Sequence, residues 1–172
     1  MSSYISQWYR HCPHCGTELQ HHSEGARCQT CEFVVYDNPA GTVTVVVKNP
    51  RGEILLAKRG IEPFKGWWDL PGGFIKGGET FEEAAHRELK EETNLEIVVT
   101  KYLGQMADVY QGRDIIALLY AAQTQDLHFT AQDDVTELAW FKLSELPPQI
   151  AFKNCQLAID LYRQAQEDSN VK

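Results

Sequence analysis

No run of apolar residues in this chain is long enough to span a bilayer, which argues against a membrane-spanning helix. Basic side chains are also scarce: 16 Lys and Arg stand against 24 Asp and Glu, for a net charge of −8. A protein whose main work is gripping phosphates along nucleic acid needs the opposite balance, so nucleic acid is not expected as the principal partner. A small polyanionic ligand stays open, because a bound metal ion inverts the local field. There is no internal repeat and no low-complexity stretch. The opening residues, MSSYISQWYRHCPHC, lack the charged-then-apolar architecture of a secretory leader, and a cytoplasmic location is the default expectation. The 172 residues suffice for one well-buried core and a small accessory module.

Cysteine is sparse but concentrated. Four of the five fall in two CxxC pairs, Cys12-Pro-His-Cys15 and Cys28-Gln-Thr-Cys31, separated by twelve residues. Each pair closes a tight turn, and the spacing matches the tetrahedral thiolate cage of a structural Zn²⁺ site. Two disulfides would use the same residues but require an oxidising compartment. A redox CxxC would be expected to open a βαβ pattern, which neither pair does. His11, His14, His21 and His22 crowd the same region and are read as surface residues, since four thiolates fill the shell. Cys155 stands alone in a C-terminal helical pattern and reads as a small buried apolar residue. The metal-held module is expected over residues 1–38, ending at the turn-rich Tyr36-Asp37-Asn38-Pro39, with the main domain over 39–172.

Beyond Gly41 the pattern becomes that of an α/β domain. Thr42 to Lys48 and Glu53 to Arg59 read as strands joined by the turn Asn49-Pro50-Arg51-Gly52. Further strands are expected at Glu96 to Leu103, Ile115 to Ala122 and Leu138 to Leu143, and a helix at Asn154 to Gln166. Between them lies GFIKGGETFEEAAHRELKEETNL, residues 73–95. Thr80 can cap a helix there, with Glu83 completing a capping box. Phe81, Ala84, Ala85 and Leu89 then form an apolar stripe, with Glu88 and Glu92 in its middle and Glu91 at its edge. Carboxylates in such a place resist burial unless a cation sits among them, and oxygen-preferring Mg²⁺ or Mn²⁺ is the natural occupant. A solvated acidic helix with i,i+4 pairs fits the same spacing.

The segment resembles the Nudix box, G-x5-E-x7-R-E-U-x-E-E-x-G-U, where U is a bulky aliphatic residue. Gly73, Glu79, Arg87, Glu88, Leu89, Glu91, Glu92 and Leu95 stand at matching positions. The specified position that departs is the second glycine, here Asn94, and Asn is the next-best residue for the left-handed conformation just past a helix end. The resemblance covers roughly residues 40–148. It implies a Nudix-type α/β/α sandwich with a mixed sheet, preceded by a small zinc ribbon of the kind found in one branch of the superfamily.

The implied activity is metal-dependent hydrolysis of the diphosphate bond in a nucleoside diphosphate linked to another group. The resemblance makes Glu88, Glu91, Glu92 and the Gly73 carbonyl the expected Mg²⁺ or Mn²⁺ ligands, with one of the acids able to act as base. Arg87 and Glu79 are expected to orient these carboxylates, or to form a structural ion pair. Asp133, Asp134 and Glu137 are candidates for an additional acid, with Asp134 preferred. Arg59 at a strand end is a candidate phosphate contact, and Trp68 or Trp67 a base-stacking residue, although core packing suits the tryptophans as well. Lys76 occupies a loop position where related sequences often carry Glu. The SQPWPFP stretch of NADH pyrophosphatases is absent; TKYLGQMADVYQG stands there instead. An ADP-ribose-like or other ADP-linked metabolite is therefore the favoured nucleotide-derived substrate. NADH or NAD-cap hydrolysis and nucleoside triphosphate hydrolysis are the alternatives. A nucleotide-sensing module that contacts protein or RNA through the ribbon is the non-enzymatic reading, and a homodimer is compatible with either.

Overall fold

A computed structural model describes Ile5 and residues 8–170. The chain forms two compact units, one comprising Met1–Ala40 with Asp108–Ile115, the other Gly41–Ala107 with Ile116–Lys172. In the first unit, β1 (Leu19–His22), β2 (Gly25–Cys28) and β3 (Val34–Tyr36) form an antiparallel sheet in the order β1-β2-β3. Its apolar core is small: Ile5, Cys12, Leu19, Ala26 and Cys28, with Cys31, Phe33 and Val35 against them. A core of that size needs another source of stability, such as a metal.

The second unit is built on a seven-stranded sheet. Its path runs β10 (Val135–Phe141), β5 (Ile54–Arg59), β4 (Ala40–Lys48), β9 (Arg113–Gln123), β8 (Val98–Tyr110). Two short strands lie off this path: β6 (Trp68–Asp69) pairs with β5, and β7 (Gly72–Phe74) with β4. Alternation along the central strands divides the apolar side chains between two faces. Val43, Val45 and Val47 of β4, with Leu55 and Ala57 of β5, pack against Ala84, Ala85 and Leu89 of helix α1 (Phe81–Thr93). Val46, Ile54 and Leu56 pack with Ala117, Leu119 and Ala121 of β9 against Cys155, Ala158, Ile159 and Tyr162 of α2 (Lys153–Asn170). The result is the expected α/β/α sandwich. Among the described residues, no helix is long and apolar enough to cross a membrane.

Several boundaries differ from the sequence reading. The strand expected to end at Leu103 runs on to Tyr110, and the next begins at Arg113 rather than Ile115. Gln111 and Gly112, both at positive φ, make a two-residue turn between them. No residue of β8 is fully buried, so it lacks the apolar signal that marks its length. β10 begins at Val135, ahead of the expected start at Leu138, and α2 extends to Asn170. The two- and three-residue strands β6 and β7 are too short to carry a period.

Candidate active site

Helix α1 starts and stops as its local chemistry dictates. The Thr80 hydroxyl accepts from the Glu83 N–H while the Glu83 carboxylate accepts from the Thr80 N–H, a closed capping box. At the other end Asn94 sits in the left-handed region at φ 60°, its N–H donating to the Lys90 carbonyl. Between these caps the helical repeat places Glu88 and Glu92 one turn apart and partly beneath the surface. The Glu88 side chain is 12 % exposed and that of Glu91 41 %, whereas Glu92 is buried.

The strand–loop segment ahead of the helix closes over these acids. Gly72 donates its N–H to Glu92 Oε2 at 3.1 Å. A Cβ on Gly73 would fall 2.7 Å from the Glu88 carboxylate carbon, so the main chain at Gly73 lies directly against that group. Arg87 binds the cluster from the side, with every N–H donor of its guanidinium engaged. Nε and Nη2 grip Glu79 bidentately, Nη1 donates to Glu88 at 2.7 Å and Glu91 at 2.9 Å, and Nη2 also reaches the Phe74 carbonyl at 3.0 Å.

Charge and burial set these groups apart. Arg87 holds the Glu79 carboxyl far down, at about 2. Burial pushes Glu92 well above the usual carboxylate range; the Gly72 N–H opposes this, and the neighbouring charges of Asp134, Glu88 and Asp69 add to it. Burial likewise raises Glu88, against the pull of Arg87. Glu91 is lowered, first by its hydrogen bond from Lys76. A site in which ionised carboxylates are disfavoured by burial and by one another, with only oxygen donors on offer, suits a hard divalent cation. Glu88, Glu92, the Gly73 carbonyl and Glu91 are the residues able to hold one.

Asp134 lies on the same side. It lines a cavity of about 50 Å³ with Ala57, Arg59, Asp69, Gly72 and Glu92. Asp133 occupies a positive-φ turn, and Glu137 is paired to Lys58 at 2.9 Å. Arg59 is anchored rather than solvent-facing: Nη1 pairs with Asp69 at 3.0 Å, Nε donates to the Pro63 carbonyl at 2.8 Å, and the guanidinium stacks 4.8 Å from the Phe152 ring centre. Trp68 packs edge-on to Phe141 at 5.0 Å within the α2-side core, with Lys58 Nζ 5.4 Å from its ring centre. Trp67, which is more exposed, lies 5.3 Å from Phe64.

Two features escaped the sequence reading. Asp69 is a buried carboxylate between Arg59 and the Cys155 thiol, whose Sγ donates to Oδ1 at 2.7 Å. Cys155 is buried as expected, but it acts there as a hydrogen-bond donor. The second is an ion pair between Lys76 and Glu91 at 3.1 Å. Neither pairing follows a helical or strand period, so no local pattern announces it.

In the first unit, the sulfurs of Cys12, Cys15, Cys28 and Cys31 all lie within 4.8 Å of one another. Hydrogen bonds with Thr17 draw Cys15 down to about 6, whereas Cys31 is pushed up to about 12, its backbone hydrogen bond with Phe33 outweighed by burial and the neighbouring cysteines, so the four sulfurs share their protons unevenly. The cluster has the donor set of a four-thiolate metal centre.

A family model described as NUDIX domain matches residues 38–159. An ADP-ribose pyrophosphatase of Methanocaldococcus jannaschii is 36 % identical over 138 residues, covering 77 % of this chain and 78 % of that protein. A Pseudomonas aeruginosa protein named NAD-capped RNA hydrolase NudC is 28 % identical over 167 residues, which is 94 % of this chain but 59 % of that protein. Among solved structures, a NUDIX hydrolase from Nitrosomonas europaea superposes with a TM-score of 0.76 at 28 % identity, covering 92 % of this chain and 91 % of that one.

Proposed function

The chain belongs to the NUDIX family, and from that premise we propose that it hydrolyses the diphosphate bond of an ADP-linked metabolite, ADP-ribose being the favoured class, with Mg²⁺ or Mn²⁺ as cofactor. The observation that carries this reading is the oxygen cradle of Glu88, Glu92 and Gly73, braced by an Arg87 with no idle donor. The M. jannaschii relative supports the substrate class.

When bound, the metal polarises phosphoryl oxygens and lowers the pKa of coordinated water. The chain's own residues do the rest. Arg87 and Glu79 fix the carboxylates in position, which spares flexible side chains the loss of entropy on each turnover. Glu92 accepts the Gly72 N–H through one oxygen, which orients the other. Asp134, across the small cavity, is the candidate for the additional acid, as a ligand or a proton acceptor. Arg59 would meet a phosphate only from its anchored position on Asp69. Trp68, held in the core, is assigned to packing, and base stacking falls to the more exposed Trp67.

The four-cysteine cluster is assigned to structural Zn²⁺ within a ribbon of residues 1–38, ahead of a hydrolase domain of 39–172. This cluster and the NudC relatives favour a second reading, hydrolysis of NADH or NAD caps, against which the missing SQPWPFP stretch weighs. A screen of ADP-ribose, NADH, NAD-capped RNA and oxidised nucleoside triphosphates with Mg²⁺ and Mn²⁺, with products identified, tests the proposal. AMP and ribose 5-phosphate from ADP-ribose are expected. Binding of ADP-ribose without turnover of any of these compounds would replace the enzyme with a sensor.

A further inference from the structure

Each oxygen of Glu91 faces a cation supplied by the chain itself. Arg87 Nη1 is 2.9 Å from Oε2, and Lys76 Nζ is 3.1 Å from Oε1. The other two acids differ: Glu88 pairs through one oxygen with Arg87, and Glu92 accepts one backbone N–H. The position of Lys76 is built into the loop. Its N–H donates to Glu79 Oε2 at 2.8 Å and its carbonyl accepts the Glu79 N–H at 3.2 Å, while Arg87 clamps that same Glu79. The backbone of residue 76 is therefore pinned to the guanidinium that braces the acids, and its side chain has only to extend to reach Glu91.

We propose that Lys76 is a resident counter-ion that withholds Glu91 from the metal cradle, so that the free protein takes up divalent metal through Glu88, Glu92 and Gly73 and binds it more weakly than its set of acids would allow. This rests on the assignment of those acids to metal binding. A divalent ion that recruits Glu91 must break the pair with Lys76 and then bear the nearby ammonium charge. Both side chains are well exposed, at 59 % and 41 %, so the pair is worth at most about 1 kcal/mol, or about fivefold in affinity. Lys76 thus acts as a tuning residue on metal affinity, with no contact to the reacting atoms required.

The test is Mn²⁺ binding to nucleotide-free full-length protein, followed by the loss of the free-ion signal in electron paramagnetic resonance. Wild type, Lys76→Arg, Lys76→Gln, Lys76→Glu and Glu92→Gln would be compared, each checked for a single cooperative unfolding transition. Lys76→Gln is expected to bind Mn²⁺ about two- to fivefold tighter than wild type, and Lys76→Glu on the order of tenfold tighter. Lys76→Arg should match wild type. Equal or weaker binding by Lys76→Gln and Lys76→Glu, with Glu92→Gln still abolishing the site, would overturn this inference and leave the hydrolase assignment standing. Wild-type binding no stronger than that of Glu92→Gln would overturn both.

Discussion

Replacing Gly73 by alanine separates the site from the fold. Its φ lies outside the left-handed region, so an alanine backbone meets no conformational penalty there. The added methyl instead falls 2.7 Å from both the carboxylate carbon and Oε1 of Glu88, and 2.9 Å from Oε2. Ordinary contact begins at 3.4 Å, so the carboxylate must retreat by about 0.7 Å. That group is the end of a rotatable side chain, and its retreat breaks no backbone hydrogen bond. The expected thermodynamic cost is therefore small, within about 1 kcal/mol. If Glu88 holds the metal as proposed, displacing its carboxylate by this distance is costly to turnover, about 10²-fold in kcat/KM where positioning controls the rate. The neighbouring Gly72→Ala makes the contrast. Its φ is +148°, and a Cβ there would overlap the Val43 carbonyl oxygen, a backbone atom of the central strand. That variant should lose about 2–4 kcal/mol and much of its soluble yield. Thermal unfolding and steady-state hydrolysis on both variants decide the matter. Gly73→Ala with turnover within about twofold of wild type would show that the place of Glu88 against the Gly73 main chain does not govern catalysis.

Three further outcomes are expected. Glu79 is held at about 2 by Arg87, against an ordinary 4.5, so its contribution to stability is complete above pH 4.5 and is lost as the pH falls towards 2; Glu79→Gln should flatten that part of the melting-temperature profile, and an unchanged acid limb would refute the clamp. Glu92 has the opposite sign: its folded pKa is raised by burial, so its ionisation costs stability as the pH rises above 4.5. In metal-free protein Glu92→Gln should gain melting temperature progressively with pH while turnover in the presence of metal falls to background, and a loss of stability at about pH 8 would contradict this. Cys155→Ala leaves Asp69 without one of its donors and should cost about 1–3 kcal/mol in denaturant unfolding, whereas Cys155→Ser keeps a donor and should recover most of it; equal losses would assign the effect to packing.

Helix α1 was legible because each of its determinants is local. Capping boxes, left-handed caps and a 3.6-residue period all act within a few positions, and Thr80, Glu83 and Asn94 take up the roles their identities suggest. The same period distinguishes Glu92, buried, from Glu91, at the exposed edge. Sheet details were harder to read. β8 extends to Tyr110 without a fully buried residue, and its second half alternates only between half-buried and exposed positions, among them Gly104, Gln105 and Asp108, which carry no apolar period in the sequence. The cysteine cluster needed only spacing, because two CxxC turns bring four sulfurs within 4.8 Å once a short hairpin folds them together.

Arg59 marks where local reading stops. At the end of β5 its natural expectation was a solvated strand end or a free phosphate contact. Its side chain is instead 12 % exposed and held by Asp69, ten residues on, which is itself met by Cys155, 86 residues further along. A buried carboxylate is tolerable only when its partners are in place, and burial raises Asp69 even with Arg59 and Cys155 acting to lower it. Strand β5, strand β6 ahead of β7, and helix α2 must therefore be assembled together for this arginine to hold its position beside Glu92 and Asp134. A sequence pattern reports which side chains share an element. It does not report which distant thiol completes a carboxylate's hydrogen bonds, and through Asp69 that contact ties α2 to the wall of the proposed active site.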